Sequence, residues 1–312
     1  MSVTSIRYLR RNEIEDLKWN RCIDNAANNL IYAYSFYLDF MSPEWHAIVA
    51  GDYDFIMPLT WRKKWGVLYL SQPAFVQQSG IFSKEVPGES LLTQIFAEIR
   101  RHFKFAEIFI NYQNQFPGLP SFKNYILQLS PGYEILSRNY AGDLKKNLRI
   151  AAKNNLVYGT TDDVNLCLSN FKTTYASRLP QITSREYEAF GELCKTAGNQ
   201  FELILRTAKA SNGSILASAL LLKKNGRMYL LQSYVSRTGR SMKANHFLID
   251  RLIHEFAGIG LILDFEGSDV EGISHFYRNF GGTDQPYFFM KYNELPYFIK
   301  KIKIISAKMF RP

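Results

Sequence analysis

The feature that most constrains this chain is that it carries a second, diverged copy of part of itself. The stretch from Lys63 reads KKWGVLYLSQ and the stretch from Lys223 reads KKNGRMYLLQ, an offset of 160 residues with six identities in ten. Self-similarity at a fixed offset marks a repeated supersecondary unit. Upstream of each lies an apolar run, Phe55 to Trp61 and Ile215 to Leu222, so each Lys-Lys-x-Gly reads as the turn of a hairpin. Downstream, LLTQIFAEIRRHF and FLIDRLIHEFAG both place apolar residues at helical spacing. Each is followed by a strand-like run, EIFINY and LILDFEG, at an offset of about 155 that a loop-length difference accommodates.

Hairpin, helix and strand in the same order twice predict two domains, 1–135 and 136–312. An antiparallel hairpin followed by a crossover helix and a further strand gives a mixed sheet flanked by helices, an α/β (α+β) fold. The segment Ser130 to Leu156, with Pro, Gly and a charge cluster, reads as the linker and first helix of the second copy. With 312 residues, 46% of them hydrophobic, the chain has the apolar content for two cores, and wholesale disorder is excluded.

No uncharged apolar run reaches the roughly 18 to 20 residues of a membrane-spanning helix. The opening MSVTSIRYLRRNEIEDLKW lacks an apolar signal region, and the three cysteines, Cys22, Cys167 and Cys194, are far apart. The expectation is a cytoplasmic protein without disulfides. His246 and His254 have no carboxylate or cysteine at a useful spacing, so no metal is expected. The formal charge of +10 favours anionic partners: nucleic acid, membrane surface, or phosphate-bearing substrates.

The order of elements, together with HFYRNFGG near the end, resembles the GNAT acyltransferase fold. Two such halves in tandem, with the basic stretch Asp143 to Leu156 opening the second, resemble the FemAB-like group, the Fem-type peptidoglycan aminoacyltransferases. The resemblance implies an N-acyltransferase that moves an acyl or aminoacyl group from acyl-CoA or aminoacyl-tRNA to an amine, with a cell-wall precursor as one acceptor. No tightly bound cofactor is implied. It also implies that Tyr277 protonates the leaving group and that Arg278 neutralises negative charge near the donor. Where GNAT enzymes have a glycine-rich phosphate turn, this chain reads SRTGRSMKANHF. Arg240 matches the first position of that turn, but Lys243 and Asn245 stand at its glycines. Phosphates would therefore be held through the side chains of Arg237, Arg240 and Lys243.

Glu266 and His275 are candidate bases for the attacking amine, and Ser268 a polar contact for the acceptor. Glu266 and Ser268 follow a strand end, where α/β sheets gather their sites. In the first copy, Gln77 and Gln78 at a strand-to-loop junction offer amides to an acceptor. Lys145, Lys146, Arg149 and Lys153 share a helix face that suits tRNA phosphates. The tail YFIKKIKIISAKMF can lie on an anionic membrane, although docking of its apolar side onto its own domain is expected. The rival reading is a degenerate transferase fold kept to bind an anionic ligand, nucleic acid or membrane.

Overall fold

In the computed structural model, residues 5–64, 66–114, 116, 118–267 and 269–296 are described. Ser268 and the basic tail from Lys300 onward lie outside them. Among the described residues, no helix is long and apolar enough to cross a membrane.

The repeated motif folds as the same set of elements in two compact units. In the first, strands Trp61–Lys64 and Val67–Ser71 form the expected hairpin, turning at Gly66 in the left-handed region (φ 79°). In the second, the longer Ile215–Lys224 and Arg227–Val235 turn through Asn225 and Gly226, both at positive φ, as a tight hairpin with right-handed strand twist requires. The helices Glu89–His102 and Ala244–Phe256 follow, then the strands Phe105–Ile110 and Ile262–Asp264. In both units the strand after the helix pairs parallel with the second hairpin strand.

The units do not divide where the repeat suggests. The first comprises 1–120 and 288–312, the second 121–287, in place of the expected 1–135 and 136–312. Strand Tyr125–Gln128, which follows the first copy in sequence, enters the second unit's sheet beside Ile262–Asp264. In return, Phe288 to Asn293 of strand Tyr287–Asn293 pair antiparallel with Phe105–Ile110. Each copy has given its last strand to the other's unit. Local sequence pattern is silent about this, because it fixes which residues form a strand and not which ladder the strand joins.

The second unit is a seven-stranded sheet with helices on both faces. Met228, Leu230, Leu221, Ala219 and Leu263 face helix Ala244–Phe256, whose Leu248, Ile249, Leu252 and Ile253 are fully buried. The opposite face, with Leu220 and Ser218, packs on helix Val164–Tyr175, where Ser218 hydrogen-bonds the Cys167 thiol.

The two units treat the end of the parallel pair differently. In the first, pairing covers Leu70–Ala106 and Ser71–Glu107, and the chain's own loop fills the space beyond. The Gln72 carbonyl accepts from the Phe109 N–H (3.1 Å) while its amide donates to Val76 O (2.7 Å). Ser79 then takes the strand position beside Ile110, giving and receiving backbone hydrogen bonds at 2.8 Å. Replacing Gln72 with Ala removes two of these bonds. We expect a stability loss of about 1–2 kcal/mol in urea melts.

Candidate active site

In the second unit the parallel pairing covers only Arg227 to Tyr229 against Ile262 to Asp264. Beyond it, Leu230 to Val235 run on while the neighbouring strand ends, so the two chains part. Asp264 is fully buried at this point, and Arg227, almost as buried, places its Nε and Nη2 on Asp264 Oδ2 at 2.8 and 2.7 Å. Arg227 also donates to Gln285 Oε1 at 2.6 Å. The other Asp264 oxygen accepts the backbone N–H of Glu266 at 2.9 Å, and Glu266 stands in the left-handed region at φ 58°. A non-glycine residue adopts that conformation at a cost, and held examples cluster at functional sites. Gly267 follows because a Cβ there would lie 2.1 Å from Lys123 O.

Glu266 Oε1 is sealed from solvent and has no hydrogen-bond partner. Desolvation raises its carboxyl to about pKa 8. Tyr277, on helix Glu271–Asn279, stacks on Phe265 with ring centroids 4.6 Å apart. Burial, and then the nearby Glu266 charge, push the Tyr277 phenol well above its ordinary value, so it keeps its proton. Tyr175, at the end of helix Val164–Tyr175, and Tyr287 belong to the same electrostatic neighbourhood. A carboxyl that titrates near neutrality beside a protonated phenol can take one proton and give another.

A second feature is a cavity of about 560 Å³ lined by residues that include Lys146, Asn147, Lys243, His246 and His275. Lys243 opens helix Ala244–Phe256 in the left-handed conformation (φ 59°), at the position where the resembling turn has glycine. Helix Gly142–Ala152 lies against this start: Asn147 meets His246 at 3.2 Å and Asn154 donates to Met242 O at 3.5 Å. Desolvation, then Lys243, lowers His246 to about pKa 4, so the ring is neutral and adds no charge. Lys145, Lys146 and Arg149 are exposed on that helix and Lys153 at its C-cap, as are Arg237 and Arg240 on the short helix Arg237–Ser241.

The expected site residues therefore separate into groups. Glu266 and Tyr277 come together, and Lys146, Lys243 and His275 line one cavity. His275 is exposed with Nε2 3.8 Å from Asp143, and not beside Glu266, because two residues along a helix turn a side chain by about 200° from Tyr277. Arg278 is exposed. Gln78 corrects the expectation of an acceptor contact: it is fully buried, its carbonyl accepts from Tyr112 N at 3.2 Å and its amide donates to Gln77 Oε1 at 2.7 Å. Its hydrogen bonds hold the first unit's loop together. The sequence reading missed Arg227, Asp264 and Gln232. The two acids of LDFE, one residue apart at a strand end, were the available signal for Asp264. Among the described residues, no group of three or more His, Cys, Asp or Glu is arranged to hold a metal.

With this geometry in view, the fold is similar to those of several solved structures. The structure of FemX superposes with a TM-score of 0.61 at 11% identity, over 92% of this chain and 98% of that one. L-PGS from Bacillus licheniformis gives 0.51 at 10% identity, over 96% and 98%. N-myristoyltransferase from Saccharomyces cerevisiae, solved with bound myristoyl-CoA, gives 0.51 at 11% identity, over 94% and 79%. No family model and no curated protein matches the sequence.

Breaking a buried ion pair by removing one partner strands a charge, whereas replacing both with apolar groups often costs little. Arg227→Met should lower stability by about 3–5 kcal/mol in urea melts. Adding Asp264→Leu should recover most of that stability.

Proposed function

We propose that the chain is an N-acyltransferase of the GNAT superfamily, similar to the FemAB-like group, that transfers an acyl or aminoacyl group to an amine in its second unit. The observation that carries this reading is the partner-less Glu266 carboxyl beside Tyr277, at the place where two parallel strands part. Glu266 accepts a proton from the acceptor's ammonium, leaving a neutral amine. The amine nitrogen attacks the acyl carbonyl carbon, and backbone N–H groups of the parted strand Leu230 to Val235 stabilise the oxyanion that forms. The tetrahedral intermediate collapses and the bond to the leaving group breaks; Tyr277 gives that group its proton and is reprotonated by the proton that the new amide nitrogen loses.

The donor, aminoacyl-tRNA or acyl-CoA, carries phosphates. Lys146 and Lys243 line the cavity that suits them, and Arg149, Arg237, Arg240 and Arg278 extend the positive field around it. The occupied turn at Lys243 and the basic helix laid over it favour a tRNA 3′ end over the close backbone cradle that a pyrophosphate uses.

Three measurements test this reading. Glu266→Gln and Tyr277→Phe should each lower kcat by about 10²-fold or more, and wild-type kcat/KM should rise with pH and level off near 8 as Glu266 ionises. Stability has the opposite slope. The native state holds Glu266 near pKa 8, above its ordinary 4.5, so it keeps a proton that the unfolded chain releases. Wild type should therefore lose stability relative to Glu266→Gln as pH rises from about 4.5 to about 8. Finally, thermal melts with charged tRNA and with acyl-CoA identify the donor. A ligand at about 100 times its Kd adds roughly 2.7 kcal/mol, and no shift with either would favour a protein that binds some other anion.

A further inference from the structure

Gln232 is 3% exposed, and neither its amide nitrogen nor its carbonyl oxygen has a hydrogen-bond partner. Proteins seldom leave a buried primary amide wholly unpaired, because each lost partner costs about 1–3 kcal/mol. Its position is set by a β-bulge. Leu221 pairs with Leu230, but Leu220 pairs with Gln232, so Leu231 is the extra residue. Simple alternation would put Gln232 on the face of Met228 and Leu230, inside the core under helix Ala244–Phe256. The bulge turns it instead onto the opposite face, with Leu220, Ser218 and Tyr229 and toward helix Val164–Tyr175. Bulges beside active sites characteristically re-aim a side chain in this way.

Buried side-chain atoms thus have unmet hydrogen bonds just past the last parallel pair, Tyr229 with Asp264: both amide atoms of Gln232 on one strand and Oε1 of the half-buried Glu266 on the chain leaving the other. The lysine-lined cavity belongs to the other face, at the start of helix Ala244–Phe256. A donor held there by its phosphates brings its carbonyl to the gap from that side, which leaves the Gln232 face for the acceptor.

We propose that Gln232 is a specificity-determining residue that reads an amide group adjoining the reacting amine of the acceptor. Its NH₂ donates to the acceptor's amide oxygen and its carbonyl accepts from the acceptor's N–H. One carboxamide matches both halves of another. A plain alkylamine would leave both atoms of Gln232 dry, and a site built to pair such groups rejects the analogue lacking them. This inference rests on the acyl-transfer reading above and specifies the acceptor's class.

The test uses Gln232→Met, close in volume and without the amide, and two small amines, glycinamide and propylamine. The ligand-free variant should melt at or above the wild-type temperature, since no hydrogen bond is lost. A lower melting temperature would mean that Gln232 is a structural residue and would overturn the proposal. In ¹⁵N NMR of wild type, the Gln232 side-chain NH₂ signal (identified by its loss in the variant) should move with glycinamide and stay with propylamine. Movement with both or with neither overturns the proposal. In turnover, with the donor identified by melting, the kcat/KM ratio of glycinamide to propylamine should fall about tenfold in the variant, the equivalent of roughly 1.4 kcal/mol. An unchanged ratio overturns it. Absence of turnover with either donor in wild type would count against the acyl-transfer reading alone, because melting and NMR need no reaction.

Discussion

The site depends on one buried ion pair. Taking the Arg227 guanidinium and the Asp264 carboxylate out of water costs several kcal/mol, and only good geometry with further hydrogen bonds offsets it. Both conditions are met: two guanidinium nitrogens lie on one Asp264 oxygen, Gln285 takes a further guanidinium hydrogen, and the second Asp264 oxygen is occupied by the Glu266 N–H. The last bond matters most for chemistry. It ties the backbone of Glu266, in a conformation that a glutamate rarely adopts, to the least movable charge in the unit. Gly267 and the hydrogen bond from Phe265 N to Tyr125 O hold the chain on either side. Glu266 thereby remains half-buried with Oε1 sealed from solvent, and the desolvation of its carboxyl is what raises its pKa.

The two units solve the same geometric problem in opposite ways. When parallel strands part, backbone groups and inward side chains lose their cross-strand partners and must find others. The first unit supplies them from its own sequence: Gln72 bridges the gap and Ser79 completes the ladder. Around Gly80, at φ 105°, the Asn28, Asn111 and Asn114 amides satisfy one another and the Ile81 backbone. In the second unit, nothing comparable fills the gap among the described residues, and Glu266 and Gln232 keep unmet hydrogen-bonding capacity. That contrast is the physical reason for assigning the chemistry to the second unit.

How much was legible in the sequence follows from the range of each signal. Hairpins, helices and their order are local patterns, and the repeat made them visible twice. Glu266 was reachable because it ends a strand, and Tyr277 because its motif is short and contiguous. The exchange of terminal strands was not legible, since Tyr125–Gln128 reads equally well beside either parent strand and only the ladder decides. Nothing local marks Arg227, which simply follows an Asn-Gly turn, and its burial depends on Asp264, 37 positions away. Gln78 and Gln232 show the same limit from two sides. Both are glutamines in apolar, strand-like surroundings; the first is fully bonded and the second is not, because a loop folds over one and a bulge re-aims the other.

The sheet of the second unit also acts as a partition. Positive charge gathers on one side, where Lys146 and Lys243 line a cavity at a helix start and the helix dipole adds to their field. Neutral His246 adds no charge there, so the attraction comes from the lysines and arginines. On the other side, among the described residues, Gln232 presents a free amide beside the gap. An ammonium would be repelled on the first side. On the reading proposed above, it meets the ionised form of Glu266 at the gap, which attracts it and removes its proton. On that reading, cations gathered at the helix start and a free amide on the opposite face let an anionic donor and a cationic acceptor approach the parted strands from different sides.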